Sequence, residues 1–143
     1  CGMITAERYH DISCGHRVVG HEGKCRFLHG HNYRIHFVVA GEQLDEIGRV
    51  LDFSVIKEKL CMWLEEHYDH KFLIWEQDEL LPQLQVLSGE SLVIVPFNPT
   101  AENIAQHLVE VVGPAQLAGT NTKLILCKVE ETAKCAATYR LAE

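Results

Sequence analysis

The sequence contains no CxxC pair, no apolar run of about 18 residues and no excess of positive charge. Because its six cysteines are scattered and several lie in apolar segments, we expect reduced thiols rather than a disulfide framework. The formal charge of -7 argues against a nucleic-acid groove and against binding to an anionic membrane surface, since both require a basic face. Without a long apolar run or a signal-peptide pattern, the expected location is the cytoplasm.

The composition is that of an ordinary globular protein. With 47% hydrophobic and 23% charged residues, the chain has enough apolar side chains to form a core. Its 143 residues are predicted to form a single domain, 1–143, which is small for an enzyme that must also enclose a substrate. Oligomerisation is one way in which a domain of this size can do so.

Three histidines near the amino end form a candidate metal site. His29 and His31 are separated by one glycine, and in an extended strand residues i and i+2 point to the same face. The same parity continues through apolar or aromatic residues, which are Tyr33, Ile35, Phe37 and Val39. This row favours a strand that has the two histidines at its buried end, and His16 is the nearest candidate for a third ligand. Three neutral imidazoles with an open fourth position are typical of a catalytic zinc ion.

Two alternatives stay open at this point. The first is that these histidines bind no metal, because most histidines in a protein of this size lie on the surface or in a satisfied core, and the chain has nine of them. Cys25 precedes His29 at short spacing and has two possible roles. It either completes a closed, structural zinc site or stays free as a nucleophile or general base beside the cation.

Hydrophobic periodicity predicts four strands and two helices in the order ββααββ. The predicted strands cover residues 3–12, 29–41, 122–129 and 136–141, and a loop that contains several glycines covers residues 13–28. An amphipathic helix is expected over residues 52–67. A second helix begins with Thr100 as its N-cap and is stopped by Gly113-Pro114. Between the helices, only a short strand at residues 92–95 is indicated.

The predicted architecture is α+β, with a four-stranded antiparallel sheet and both helices on one face. Such a sheet has an uncovered face and unpaired edges, and a partner chain is the simplest cover. Glu131 shares the parity of an apolar row made of Ile125, Cys127 and Val129. This parity places a carboxylate at the end of the row. The alternative is that Glu130 and Glu131 are both solvated residues of a turn.

Six short motifs along the chain occur together in one known family. They are, in order, SCGHRV, CRFLHGHNY, DFSVIK, DHKFL, NPTAENIA and EET. From about Ile4 to Leu141, the chain therefore resembles the 6-pyruvoyltetrahydropterin synthase and 6-carboxytetrahydropterin synthase family, although SCGH departs from the two alanines that usually precede this histidine. The resemblance implies the tunnelling fold, or T-fold. In that fold three four-stranded sheets close into a barrel, and two barrels stack as a homohexamer.

The resemblance also implies roles for individual residues. Those that match the zinc ligands of the family are His16, His29 and His31. Cys25 matches the catalytic thiol, and Asp69 with His70 matches a pair that completes a proton relay with the thiol of a neighbouring subunit. Glu131 matches the residue that anchors the pterin ring through hydrogen bonds, and Thr100 matches a residue beside that ring.

The reaction implied by the resemblance is the zinc-dependent conversion of 7,8-dihydroneopterin triphosphate to 6-carboxy-5,6,7,8-tetrahydropterin. It releases acetaldehyde and triphosphate and belongs to 7-deazaguanine (queuosine) biosynthesis. The short interval between Cys25 and His29 resembles the bacterial enzymes that form this product. The alternatives are the 6-pyruvoyltetrahydropterin synthase reaction, which eliminates triphosphate only, and a zinc-stabilised binding module without enzymatic activity. Arg17, Lys24 and Arg26 flank the site and are candidates for contacting the triphosphate.

Overall fold

The computed structural model describes residues 2–142 of the chain. Its strands are β1 (Thr5–His16), β2 (His29–Gly41), β3 (Lys71–Trp75), β4 (Leu92–Val95), β5 (Thr122–Glu130) and β6 (Ala136–Arg140). Within residues 2–142, these six strands form one sheet in the order β4-β3-β1-β2-β5-β6. The helices are α1 (residues 53–67), α2 (Leu81–Ser88) and α3 (residues 101–116), with short 3₁₀ turns at Lys24–Arg26 and Gly89–Ser91.

The predicted antiparallel sheet is present but is only part of the observed one. β1 pairs with β2, β2 with β5 and β5 with β6, and all three pairings are antiparallel. Two further strands extend the sheet along the other edge of β1, where β3 runs parallel to β1 and β4 runs parallel to β3. The prediction of a four-stranded antiparallel sheet is therefore wrong in the number of strands and in the expectation that every pairing is antiparallel. The sequence did not reveal β3, because the consecutive residues Leu73 and Ile74 are both buried and the strand has no alternation of polar and apolar residues.

The prediction that a loop begins at Ser13 is wrong. β1 continues to His16, which lies opposite His29 of β2. Gly15 suggests a loop in the sequence, but in the structure it allows close packing against β3. A Cβ atom on Gly15 would lie 2.6 Å from Cδ2 of Phe72. The longer strand matters for the site, because it brings His16 next to His29.

Helix α1 confirms the predicted amphipathic helix. It begins after Asp52, whose side chain accepts a hydrogen bond from the backbone N–H of Ser54 at 2.8 Å. One face is fully buried and consists of Ile56, Leu60 and Leu64. The central segment Lys57–Cys61 is π-helical, with α-helical segments on either side.

Helix α3 does not stop at Gly113-Pro114 as the sequence predicts, but runs on to Gln116. Proline normally ends a helix because it has no N–H and its ring clashes with the preceding turn. Here the turn before it, Leu108–Val112, is π-helical, and the N–H of Gly113 donates to the carbonyl of Leu108. This wider turn accommodates Pro114 within the helix.

Helix α2 is a third helix, whereas the sequence predicted two. Its residues, LPQLQVLS, include Leu81, Leu84 and Leu87, but none of its residues is buried. The helix has eight residues and packs no stripe against the core, so its pattern is shorter and weaker than that of α1. The short strand predicted at residues 92–95 is confirmed as β4.

The core lies between one face of the sheet and helices α1 and α3. The sheet contributes the predicted apolar row of β2, which is Tyr33, Ile35, Phe37 and Val39. Asn32 and Arg34, on either side of Tyr33, point to the opposite face and are exposed. Among the described residues, no helix combines the length and the apolar character needed to cross a membrane.

Candidate functional site

The end of β1 and the start of β2 bring three histidines together. His16 is the last residue of β1 and lies opposite His29, the first residue of β2, while His31 lies opposite Cys14. Each histidine offers one ring nitrogen, and these three atoms all lie within 4.8 Å of one another. The antiparallel pairing therefore builds the cluster, because two residues of one strand and the end of its neighbour share a face.

Backbone carbonyls orient two of these rings. Nδ1 of His16 lies 2.6 Å from the carbonyl oxygen of Pro99, and Nδ1 of His29 lies 2.8 Å from that of Phe27. When Nδ1 donates to a carbonyl, Nε2 carries the free lone pair. The Nε2 atoms of His16, His29 and His31 are buried and have no hydrogen-bond partner among the described residues. Three converging, unpartnered acceptors of this kind fit a tetrahedral metal ion with one open position.

The electrostatics of the cluster favour neutral rings. Burial lowers the pKa of His16 to about 4, although the hydrogen bond to Pro99 acts in the opposite direction. Burial also lowers the pKa of His31, against the influence of the nearby Glu131 carboxylate. Since metal ions bind the neutral form of imidazole, these two rings are ready to coordinate at pH 7 without first losing a proton.

Glu131 lies at the edge of the same cluster. One carboxylate oxygen is 3.8 Å from Nε2 of His16 and the other is 3.8 Å from Nε2 of His31. These distances are too long for hydrogen bonds. The side chain also borders a cleft of about 190 Å³ beside the first turn of α3, where Ala101 is among the lining residues. By contrast, Glu130 pairs with His36, which belongs to the outer row of β2, so the two neighbouring carboxylates have different surroundings.

Thr100 and the residue before it connect α3 to the cluster. The Thr100 hydroxyl oxygen accepts a hydrogen bond from the backbone N–H of Asn103 at 3.1 Å and caps the helix, as predicted. Pro99 supplies the carbonyl that orients His16. The residue before the N-cap of α3 therefore orients one histidine, and the first turn of the helix lines the cleft beside Glu131.

Cys25 lies at the centre of the 3₁₀ turn Lys24–Arg26 and is half-buried. Its backbone carbonyl accepts a hydrogen bond from the N–H of Val18 at 2.8 Å. Within residues 2–142, the group of ligand atoms that lie within 4.8 Å of one another contains three histidines and does not include the Cys25 thiol. This geometry argues against a closed site with one cysteine and three histidines.

Asp69 and His70 form a pair that stands apart from the cluster. Nδ1 of His70 lies 2.8 Å from one oxygen of Asp69, and the other oxygen accepts the backbone N–H of Ser13 at 2.9 Å. Burial raises the pKa of Asp69, but the hydrogen bonds from Ser13 and His70 outweigh it and lower the pKa overall. The His70 side chain is 80% exposed. In the described part of the chain, no hydrogen bond joins this pair to Cys25 or to the three histidines.

Some contributors to the site carry no signal in the sequence. The carbonyls of Pro99 and Phe27 orient histidines, but a backbone oxygen has no residue type that could reveal it. Arg17, a candidate for contacting triphosphate, is instead committed to an ion pair in which its Nε donates to Asp78 at 2.8 Å. Asp78 was missed because its partner lies 61 positions away in the sequence.

Comparison with known proteins gives one consistent result. The sequence profile of the 6-pyruvoyl tetrahydropterin synthase family matches residues 5–142. The 6-carboxy-5,6,7,8-tetrahydropterin synthase of Rickettsia felis is 37% identical over 134 residues, which are 93% of this chain and 97% of that protein. The protein of the same description from Synechocystis sp. is 34% identical over 132 residues, with 90% of this chain and 86% of the relative covered.

Solved structures agree on the fold. An uncharacterized protein from Wolinella succinogenes superposes with a TM-score of 0.84 at 24% identity, covering 98% of this chain and 99% of that one. The 6-pyruvoyl tetrahydropterin synthase of Caenorhabditis elegans superposes with a TM-score of 0.70 at 25% identity, covering 99% and 97%. The likeness extends over almost the whole of each chain, including the strands that carry the histidine cluster.

Proposed function

Because the chain belongs to the 6-pyruvoyl tetrahydropterin synthase family, we propose that it is a zinc-dependent 6-carboxy-5,6,7,8-tetrahydropterin synthase. The proposed reaction converts 7,8-dihydroneopterin triphosphate and one water molecule to 6-carboxy-5,6,7,8-tetrahydropterin, acetaldehyde and triphosphate, as a step of 7-deazaguanine (queuosine) biosynthesis. The observation that carries the proposal is the set of three buried, unpartnered Nε2 atoms, in a chain whose curated relatives are named for this product.

The three histidines would hold the metal, and the donor set suits zinc. His16, His29 and His31 present imidazole nitrogens, which are common ligands of catalytic zinc. When bound, the zinc ion supplies Lewis-acid chemistry that polarises hydroxyl oxygens of the substrate side chain and acidifies the neighbouring protons. The hydrogen bonds of His16 and His29 to carbonyls fix the ring orientation that such a site requires.

The other residues would bind substrate and move protons. Cys25 acts as the base that removes a proton from the substrate side chain, since its thiol lies outside the group of nitrogen ligands and is free to react. Asp69 holds His70 through Nδ1 and leaves the Nε2 atom of His70 to exchange a proton. Glu131 accepts hydrogen bonds from the pterin ring at the cleft beside α3, where Thr100 caps the helix.

The exposed Asp69-His70 pair supports an active site shared between subunits. His70 is 80% exposed and has no link to Cys25 within the described residues. We therefore propose a homohexamer in which this pair completes the site of a neighbouring chain. The single-domain interpretation of residues 1–143 and the cytoplasmic location stay predictions.

The product distinguishes the proposed reaction from its alternative within the family. Purified zinc-loaded protein is incubated with 7,8-dihydroneopterin triphosphate, and acetaldehyde is trapped as a hydrazone and counted against the pterin consumed. Near-equal amounts support the carboxy product. Triphosphate release without acetaldehyde, together with a pyruvoyl-bearing pterin, would favour 6-pyruvoyltetrahydropterin synthase, the function named for the relative from Caenorhabditis elegans.

A control excludes activity that comes from the expression host. The His29→Ala variant, purified in the same way, measures any contaminating synthase, because it lacks one proposed metal ligand. If the unaltered protein binds zinc but consumes no pterin beyond this background, the zinc-stabilised binding module becomes the better interpretation.

A further inference from the structure

The segment between β1 and β2, residues 17–28, carries Cys25 and is held by several hydrogen bonds. The N–H of Val18 donates to the carbonyl of Cys25 at 2.8 Å. Asn98 holds Val19 from both sides, because its Oδ1 accepts the Val19 N–H and its Nδ2 donates to the Val19 carbonyl, each at 2.9 Å. These bonds fix the start of the segment and attach it to Cys25. At the end of the 3₁₀ turn, Nη1 of Arg26 donates to the carbonyls of Glu22 and Gly23 at 3.1 and 3.0 Å, and a second side chain adds a further restraint.

Arg17 provides that restraint by reaching in two directions. Its Nε donates to Oδ2 of Asp78 at 2.8 Å, and its Nη1 donates to the backbone carbonyl of Arg26 at 3.0 Å. Arg26 is the residue directly after Cys25 and the last of the 3₁₀ turn. A guanidinium group can make both bonds at once, because its donors point along fixed, separate directions.

Asp78 is built as a fixed anchor for this guanidinium. Its side chain is fully buried, which is rare for a carboxylate unless it is paired. Oδ1 accepts the N–H of Leu80 at 2.9 Å, and the N–H of Asp78 donates to the carbonyl of Trp75 at 3.0 Å. Asp78 is therefore held by its own backbone neighbours just beyond the end of β3, and it offers Oδ2 to Arg17.

We propose that Asp78 is a positioning residue for the thiol of Cys25. It acts through Arg17, whose Nη1 donates to the Arg26 carbonyl and so holds the 3₁₀ turn. The inference rests on the proposed function, in which Cys25 is the base. It gives a role to the chain between β3 and α2, where the sequence indicates no function. It also assigns Arg17 to the architecture of the site rather than to the triphosphate.

The substitution Asp78→Asn tests this role. If the amide oxygen keeps the bond from Leu80, the amide NH₂ group faces Arg17, and two donors then oppose each other. Arg17 leaves its position and releases the Arg26 carbonyl. Since a misplacement of about 1 Å can cost about 100-fold in rate, we expect kcat to fall roughly 10- to 100-fold with little change in KM. Zinc content stays at the level of the parent protein, because all three histidines remain.

A readout that does not depend on turnover is the alkylation of Cys25. Zinc-loaded protein is treated with iodoacetamide, and modification of each cysteine is followed by peptide mass spectrometry. The exposed Cys135 serves as the internal reference. Once the turn is released, the rate at Cys25 should rise at least about threefold relative to Cys135, because thiol reactivity follows access.

Two further variants separate positioning from stability. Arg17→Lys keeps a positive charge for Asp78, but its single ammonium nitrogen lacks the two separate, fixed N–H groups with which the guanidinium binds Asp78 and the Arg26 carbonyl. It should retain the melting temperature of the parent better than Asp78→Asn while showing the same changes in kcat and in Cys25 alkylation. Glu79→Gln is the matched control. Its carboxylate is 3.8 Å from the same guanidinium but 85% exposed, so this substitution should leave kcat and alkylation unchanged.

The outcomes distinguish this inference from the proposed function. If Asp78→Asn and Arg17→Lys leave the relative alkylation rate of Cys25 unchanged, or lose zinc together with activity, Asp78 does not position the thiol. Full turnover by Cys25→Ala would instead contradict the proposed role of the thiol, and the alkylation rates would still report whether Asp78 holds the turn.

Discussion

Two histidine-containing groups, the cluster of His16, His29 and His31 and the Asp69-His70 pair, differ in what holds the imidazole rings and in how far the rings are exposed. In the cluster, His16 is fully buried, and Nδ1 of His16 and Nδ1 of His29 face carbonyl oxygens at 2.6 and 2.8 Å. His70 faces the carboxylate of Asp69 at 2.8 Å, and 80% of its side chain is exposed. Burial lowers the pKa of His16 and keeps its ring neutral, against the effect of the Pro99 carbonyl, whereas His70 lies in solvent beside a carboxylate. The surroundings of the cluster therefore suit the proposed metal ligands, and those of His70 suit the proposed proton transfer.

The two groups also differ in how complete they are within one chain. The three ring nitrogens of the cluster lie within 4.8 Å of one another in a single chain, so the proposed metal site needs no ligand from another chain. Asp69 and His70 bond to each other and to β1, and the imidazole extends into solvent. If the proposed shared site is correct, assembly supplies what a single chain lacks. Substitutions in the two groups should therefore have separable effects.

The largest effect is expected for His29→Ala. Removing one of three nitrogen ligands should lower the zinc content from about one ion per chain to near zero and abolish turnover with it. Zinc is measured by elemental analysis after gel filtration. His36→Ala is the matched control, because His36 belongs to the same strand but pairs with Glu130 instead. A His29→Ala protein that retained a full complement of zinc would contradict the assignment of the cluster.

The next largest effect is expected for Cys25→Ala. Loss of a general base should reduce kcat about 10²- to 10⁴-fold while zinc content stays the same. Cys25→Ser keeps the volume of the side chain and should lose nearly as much, since a serine hydroxyl is a poor base at neutral pH. X-ray absorption of the unaltered protein should show nitrogen or oxygen neighbours only. A sulfur atom near 2.3 Å would place Cys25 among the ligands and favour the structural zinc module.

The histidine cluster could be predicted from the sequence because its geometry follows from strand parity. His29 and His31 share a face whenever their segment is extended, and the apolar row after them shows which face is buried. His16 could be named as a candidate ligand, but its place opposite His29 could not be predicted. That place depends on β1 running through Gly15, and the glycine is required by Phe72 of a strand that lies far along the chain.

What the sequence could not give is set by long-range packing and by short elements. β3 has no alternation because both of its faces are covered, and α2 is a helix of eight residues, none of which is buried. The Gly113-Pro114 pair normally indicates the end of a helix, but here the π-helical turn before it allows the helix to continue. The pairing of Arg17 with Asp78 joins two loops, and neither loop has a periodic pattern that indicates the other.

A smaller effect is expected when inactive variants are mixed. Cys25→Ala and His70→Ala chains are dissociated, combined in equal amounts and reassembled. If a site uses Cys25 of one chain and His70 of its neighbour, about one quarter of the sites in random mixed oligomers inherit both residues. Recovery of about that share of activity would indicate that the metal cluster is complete within one chain, whereas the proton relay is completed by a neighbouring chain. No recovery, despite mixed oligomers verified by mass spectrometry, would place the whole site within one chain.

The smallest effect concerns the stability that the Asp69 carboxylate contributes. Hydrogen bonds from Ser13 and His70 lower the pKa of Asp69 below its ordinary value of 3.8, against the effect of burial. A depressed pKa in the folded state stabilises the protein above the pKa of the unfolded state, and this contribution is lost as the pH falls through the folded value. Asp69→Asn should therefore cost about 1–2 kcal/mol in the free energy of unfolding near pH 7. The difference from the parent should shrink below about pH 3.8, as urea unfolding at a series of pH values would measure.

Glu66→Gln, at an exposed position of α1, should show no such difference. A difference that stayed constant or grew towards acid pH would mean that Asp69 is not held as a carboxylate, and the contrast between the two groups of histidines would lose its electrostatic basis.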